Sequence, residues 1–168
     1  MHTVTRLGAC AATLTVVIAP AATFEIVKAA AEGGTRVGMD SDLRRCDFSL
    51  VAEGPAVPRP VLGSGSAVIH TAGSRVIAEV HLADTPEPGT HFDVGLIQEP
   101  LPSSATCGPG DPGTAFTGMD TDAAGGGTAT IQDTIRQGTT GVWVIIERPA
   151  AHSHNPAEVY TSEFVVPV

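Results

Sequence analysis

After residue 32 the hydrophobic positions alternate instead of recurring at the helical period. They lie between clusters of Gly, Pro, Asp and Thr, a pattern that predicts short β-strands joined by turns. The clearest run is Arg75 to Leu82, where Val76, Ala78, Val80 and Leu82 alternate with Arg75, Ile77, Glu79 and His81. Beyond the turn sequence Asp84 to Gly89, His91 to Gln98 alternates again, with Phe92, Val94 and Leu96 on the face expected to be buried. These two runs read as a hairpin. Cys46 to Val51 predicts a first strand, ended by Gly54, Pro55, Pro58 and Pro60, and Ser66 to Thr71 predicts a second.

From Pro100 to Gly127 the chain reads mostly as loop, with one apolar point at Phe116. Ala129, Ile131 and Ile135 predict a further strand. Gly141 to Glu147 holds the only Trp, Trp143, within a continuous Val and Ile run, as expected of a central strand buried on both faces. Pro149 to Pro156 reads as loop, and Val159 to Val166 as the last strand. The total is about seven short strands, which predicts an all-β fold, an immunoglobulin-like antiparallel β-sandwich. A small barrel is the alternative, because strand count alone does not separate the two.

The first 31 residues do not belong to that pattern. Arg6 is the only charged side chain before Glu25, and Leu7 to Phe24 is apolar and Ala-rich. Small residues follow as Ala19-Pro20-Ala21 and Ala29-Ala30-Ala31, the spacing of a signal-peptidase site. The expected organisation is a cleavable signal segment over residues 1–31 and a single domain over 32–168. An uncleaved anchor is the other reading, and the membrane would then be met only through this segment. Both place the domain outside the cytoplasm, as a secreted or cell-envelope protein. Leu7-Gly8-Ala9-Cys10 has lipobox character but precedes the apolar run, so Cys10 is expected to leave with the signal.

Residues 32–168 carry seven Arg, no Lys and 17 acids, a net charge of −10. Such a surface repels phosphate, which disfavours nucleic acid and anionic lipid as partners. Cys46 and Cys107 are the two cysteines beyond the signal segment. An even count in an exported chain predicts one disulfide, worth roughly 4 kcal/mol through closure of a loop of about 60 residues.

The segments Gly89 to Val94, Thr121 to Gly125, Gly138 to Val144 and Tyr160 to Phe164 together resemble small exported actinobacterial β-sandwich proteins of unknown function. That resemblance covers residues 42–168 and implies fold and location, with no catalytic residues to carry over.

Motifs with chemistry are few. Gly108 to Gly113 matches GxGxxG in letters, but two prolines lie inside it and no helix pattern follows, so it reads as a loop. Asp120-Thr121-Asp122 opens like a calcium loop, yet Ala124 and Ile131 stand where an EF-hand needs ligands, so a tight turn is expected. Gly63 to Ser66 lacks the glycine spacing of a nucleophile elbow.

Five histidines follow residue 32. His81 and His91 fall on the outward face of the expected hairpin, where one register sets them opposite each other and another sets His81 opposite Asp93. His81, His91 and Asp93 are therefore the candidate ligands for Zn²⁺ or Cu²⁺. His152 and His154 add a pair in a loop, and His70 lies on a neighbouring strand. Gly89 to Asp93 also resembles the His-x-His strand of copper–zinc superoxide dismutases, with Asp93 where the second His would stand. Scattered histidines on a solvated sheet face are the plainer expectation, under which no cofactor is needed. Two function classes follow: a non-catalytic module binding a protein, glycan or small ligand, and a metal-binding domain or metalloenzyme.

Overall fold

The computed structural model describes residues 33–51, 63–83, 87–152 and 155–168. Residues 1–31, expected as a signal segment, and residues 84–86 lie outside that set. Nine strands follow in chain order: β1 (Thr35–Asp40), β2 (Ser64–Ala72), β3 (Arg75–Ala83), β4 (His91–Glu99), β5 (Thr114–Asp120), β6 (Gly126–Thr134), β7 (Gly141–Arg148), β8 (Glu158–Ser162) and β9 (Val166–Pro167). All their pairings are antiparallel.

The hydrogen-bonded order is β5-β4-β7-β8-β1-β2-β3-β6, with β9 beside β7. Its two outer members, β5 and β6, are consecutive in the chain and lie against each other. The turn between them is built by Asp122, whose carboxylate accepts the N–H groups of Ala124 (2.8 Å) and Gly126 (2.9 Å). Those two donors hold the Asp122 carboxyl below its ordinary pKa, and Gly125 closes the turn at φ 78°. The sheet thus comes round on itself, nearly as a barrel.

The all-β, antiparallel expectation holds, but the detail differs. One hydrogen-bonded path replaces the two separate sheets of an immunoglobulin-like sandwich, and nine strands replace about seven. Val159 to Val166 is two strands, broken at Glu163 to Val165. Cys46 to Val51 is no strand: residues 41–51 form an irregular segment with one bridge, Arg44 to Leu50. The first strand is Thr35–Asp40, and Thr114–Asp120 runs through what reads as loop.

Two apolar clusters follow from the alternation. Inside, all nine strands contribute to one core, among them Val37, Ile69, Val80, Phe92, Leu96, Met119, Ile131, Val144, Tyr160 and Val166. Outside, the opposite faces of β4, β7 and β8 present Ile97, Trp143, Ile145 and Val159. β7 is therefore buried on both faces, as its continuous Val and Ile run predicts. The outer cluster is covered by Leu43 and Phe48 of segment 41–51 and by Leu101 and Cys107 of the β4–β5 connection.

Polar groups pin both ends of the sheet. Gln98, fully buried, donates to Asp133 Oδ2 (2.6 Å) and to the Thr134 carbonyl (2.9 Å), and accepts from Thr139 Oγ1 (2.8 Å) and the Arg136 N–H (2.9 Å). At the other end the Tyr160 hydroxyl donates to the buried Glu158 carboxylate and accepts the Gly63 N–H at 2.9 Å. Gln98 and Tyr160 thus find partners that offset their desolvation.

Candidate functional site

β3 and β4 do not pair. β3 lies between β2 and β6, where His81 faces Ser66 and Thr128, while β4 lies between β5 and β7. The expected hairpin is therefore corrected, and with it the grouping of His81 with His91 and Asp93. Alternation fixes which face a side chain takes, but the chain crosses to a distant part of the sheet between the two strands.

His91 and Asp93 do share the outer face of β4. In the β4–β5 register His91 stands opposite Asp120 and Asp93 opposite Gly118. The His91 ring lies over Gly118, where a Cβ would come within 2.8 Å of its Cε1. There it sits between two carboxylates: Nδ1 is 2.7 Å from Asp120 Oδ1, and Nε2 is 3.5 Å from Asp93 Oδ1. The hydrogen bond to Asp120 raises the His91 pKa above its ordinary value. Desolvation opposes that rise, and the charges of Asp120 and Asp93 add to it.

Further along the same face is a cavity of about 230 Å³. Its floor is apolar, from Phe116, Trp143 and Ile145, and Arg44, Asp93 and Glu147 stand around it beside the Cys107 half of the disulfide. Gly95 makes this floor continuous, because a Cβ there would come within 2.7 Å of Phe116 and 2.8 Å of Ile145. The two side chains close over the bare backbone of β4.

One wall is segment 41–51. Cys46 is bridged to Cys107 with Cα atoms 5.6 Å apart, as the cysteine count predicts. The Phe48 ring meets Trp143 edge-on at 5.5 Å, and the Arg44 guanidinium lies over the same Phe48 ring, 4.1 Å from its centre. Phe48 holds φ 62°, the one non-glycine residue with positive φ among the described residues. A bulky residue there is strained by roughly 1–3 kcal/mol. The disulfide two residues earlier, with Asp47 accepting from the Ser49 N–H (3.1 Å) and hydroxyl (2.5 Å), holds it in place. Behind the floor, Glu99 accepts from Trp143 Nε1 (2.9 Å) and from the Leu101 N–H (2.8 Å), tying the central strand to the disulfide loop.

Arg44 carries charge into the wall, and that charge is answered locally. Asp40 and Asp42 lie 3.7 and 3.8 Å from its guanidinium, and its Nε donates to Thr161 Oγ1 at 3.2 Å. Asp93 belongs to both the cavity and the His91 group, so the two form one continuous site.

Among the described residues no group of three His, Cys, Asp or Glu side chains is placed to hold a metal ion. His70 faces Ile77 on β2, His152 lies in the turn after β7, and His154 is outside the described residues. Sequence reasoning placed Asp120 only in a turn, without its pairing to His91, and missed Arg44 and Glu147. Phe116 was visible only as an isolated apolar point. No family model matches this chain, and no curated protein or solved structure is significantly similar to it.

Proposed function

We propose that this chain is a non-catalytic binding module of the cell exterior, which seats part of a partner or small ligand in the outer-face cavity between the disulfide-linked segments. The observation that carries the reading is the cavity itself: an apolar floor, charged groups at its rim, and walls fixed by a covalent bridge. A rigid apolar hollow with a few placed polar groups is what recognition sites are made of. The disulfide supports an oxidising compartment, in keeping with an export signal over residues 1–31. Among the described residues no helix is long and apolar enough to cross a membrane.

The test is an unbiased fragment screen read by backbone amide shifts on the oxidised, secreted protein. Shifts should cluster at Gly95, Phe116 and Ile145. Hits confined to other surfaces, or none at all, would remove the reading.

A metal-binding role is the second reading, favoured by one distance. His91 Nε2 and Asp93 Oδ1 at 3.5 Å are spaced about as two ligands of a tetrahedral zinc are, with Asp120 orienting the ring through Nδ1. Two donors leave the remaining positions to water, so zinc added to the metal-free protein is expected to bind weakly. One tightly held equivalent of zinc or copper, lost on His91→Ala, would put this reading first.

A further inference from the structure

We propose that the outer-face cavity receives one cationic side chain of a protein partner, a lysine, and that His91 competes with that lysine for Asp93. The inference rests on the binding role proposed above and names its ligand chemistry. At about 230 Å³ the cavity is smaller than the roughly 300–1,000 Å³ of most small-molecule sites, and suits a single side chain. A lysine lays its four-carbon stem along apolar surface while its ammonium seeks a carboxylate. The floor of Phe116 and Ile145 supplies the first, and Asp93 at the edge supplies the second. A net charge of −10 over residues 32–168 steers a basic partner toward this chain.

The charged groups facing that space come from four elements: His91 and Asp93 from β4, Asp120 from β5, Glu147 from β7 and Arg44 from segment 41–51. Arg44 does not bar a cation, since Asp40 and Asp42 balance its charge. His91 does interfere. Protonated, it pairs with Asp93 at 3.5 Å and removes the anion the ammonium needs. Neutral, it keeps its bond to Asp120 through Nδ1 and leaves Asp93 to the ligand. Affinity for the lysine should therefore rise with pH.

The experiment titrates the oxidised protein with Nα-acetyl-lysine methylamide and with its neutral counterpart, Nα-acetyl-norleucine methylamide, at pH 5.5 and 8.5. Amide shifts of Gly95, Phe116 and Ile145 are followed. At pH 8.5 the lysine probe should bind about two- to five-fold tighter than the norleucine probe, the range an exposed ion pair supplies. At pH 5.5 that preference should shrink. His91→Gln should remove the pH dependence, and Asp93→Asn the preference itself. Equal binding of both probes at both pH values overturns the cationic ligand while leaving the cavity a ligand seat. A pH dependence that survives His91→Gln overturns the competition. Silence at the cavity amides with both probes overturns the proposal whole, and the fragment screen then decides whether the seat falls with it.

Discussion

Replacing both cysteines, Cys46→Ser with Cys107→Ser, removes the bridge without leaving a free thiol. The residues are 61 apart in sequence, and releasing a loop of that length restores about 4 kcal/mol of chain entropy to the unfolded state. For a domain of this size unfolding entropy is near 0.3 kcal/mol/K, so the melting temperature should fall by about 14 °C. Relief of strain at Phe48 (φ 62°) works in the opposite direction, by roughly 1–3 kcal/mol, once segment 41–51 is let go. The expected net fall is about 3–10 °C. Calorimetry of the wild type and the double variant measures it, and Trp143 fluorescence adds a local readout, because Phe48 covers that indole. A red shift of the emission should accompany the loss of stability. A melting temperature within about 2 °C of wild type, with Trp143 unchanged, would refute the claim that the bridge holds segment 41–51 on the sheet. So would two titratable thiols in the native protein.

Gly95→Ala should cost about 1–3 kcal/mol, as overpacking does, because the new Cβ meets Phe116 and Ile145 at 2.7 and 2.8 Å; denaturant unfolding gives the number, and a neutral result would mean that the floor is loosely packed. The His91 pKa is raised in the folded state, so its contribution to stability is complete below about pH 6.5 and is lost as pH rises through the folded value. His91→Ala should therefore be more destabilising at pH 5.5 than at pH 8.5, whereas His81→Ala, exposed on β3, should stay within about 0.5 kcal/mol at both.

The strands that alternate cleanly were legible in the sequence, and so were their buried faces. Val76, Ala78, Val80 and Leu82 of β3 and Phe92, Val94 and Leu96 of β4 are all buried as expected. Which strand lies beside which was not legible, because alternation constrains a side chain's face and carries no information on its neighbour across a ladder. That gap cost the metal grouping: His81 follows β3 to Ser66 and Thr128, while His91 follows β4 to Asp120. The missed strands have a different cause. β1 buries one large residue, Val37, and β5 carries Gly118 and two threonines among its seven residues, so neither shows a clear apolar rhythm. Segment 41–51 misled in the other direction. Phe48 and Leu50 resemble strand positions, but the first packs on Trp143 through a left-handed backbone and the second is exposed.

The position of the site follows from how the two clusters divide the molecule. A barrel that binds in its interior keeps that interior open, whereas here side chains from all nine strands meet inside. The outer cluster is different in kind. Closing the sheet does not require Trp143 and Ile145 on the outside of β7; a polar residue at either position would need no cover. Instead the chain puts an indole there, anchors it to Glu99, and then brings segment 41–51 across the face under a covalent bridge, with Phe48 in a strained conformation. Strain that the surrounding structure over-determines concentrates where geometry serves a ligand. The cover is also incomplete, ending beside Asp93 and the His91 ring, so apolar floor and carboxylate meet at the same edge. Under the proposed binding role, recognition is expected on the outside of β5, β4 and β7, and substitutions there should alter binding while those in the inner core alter only stability.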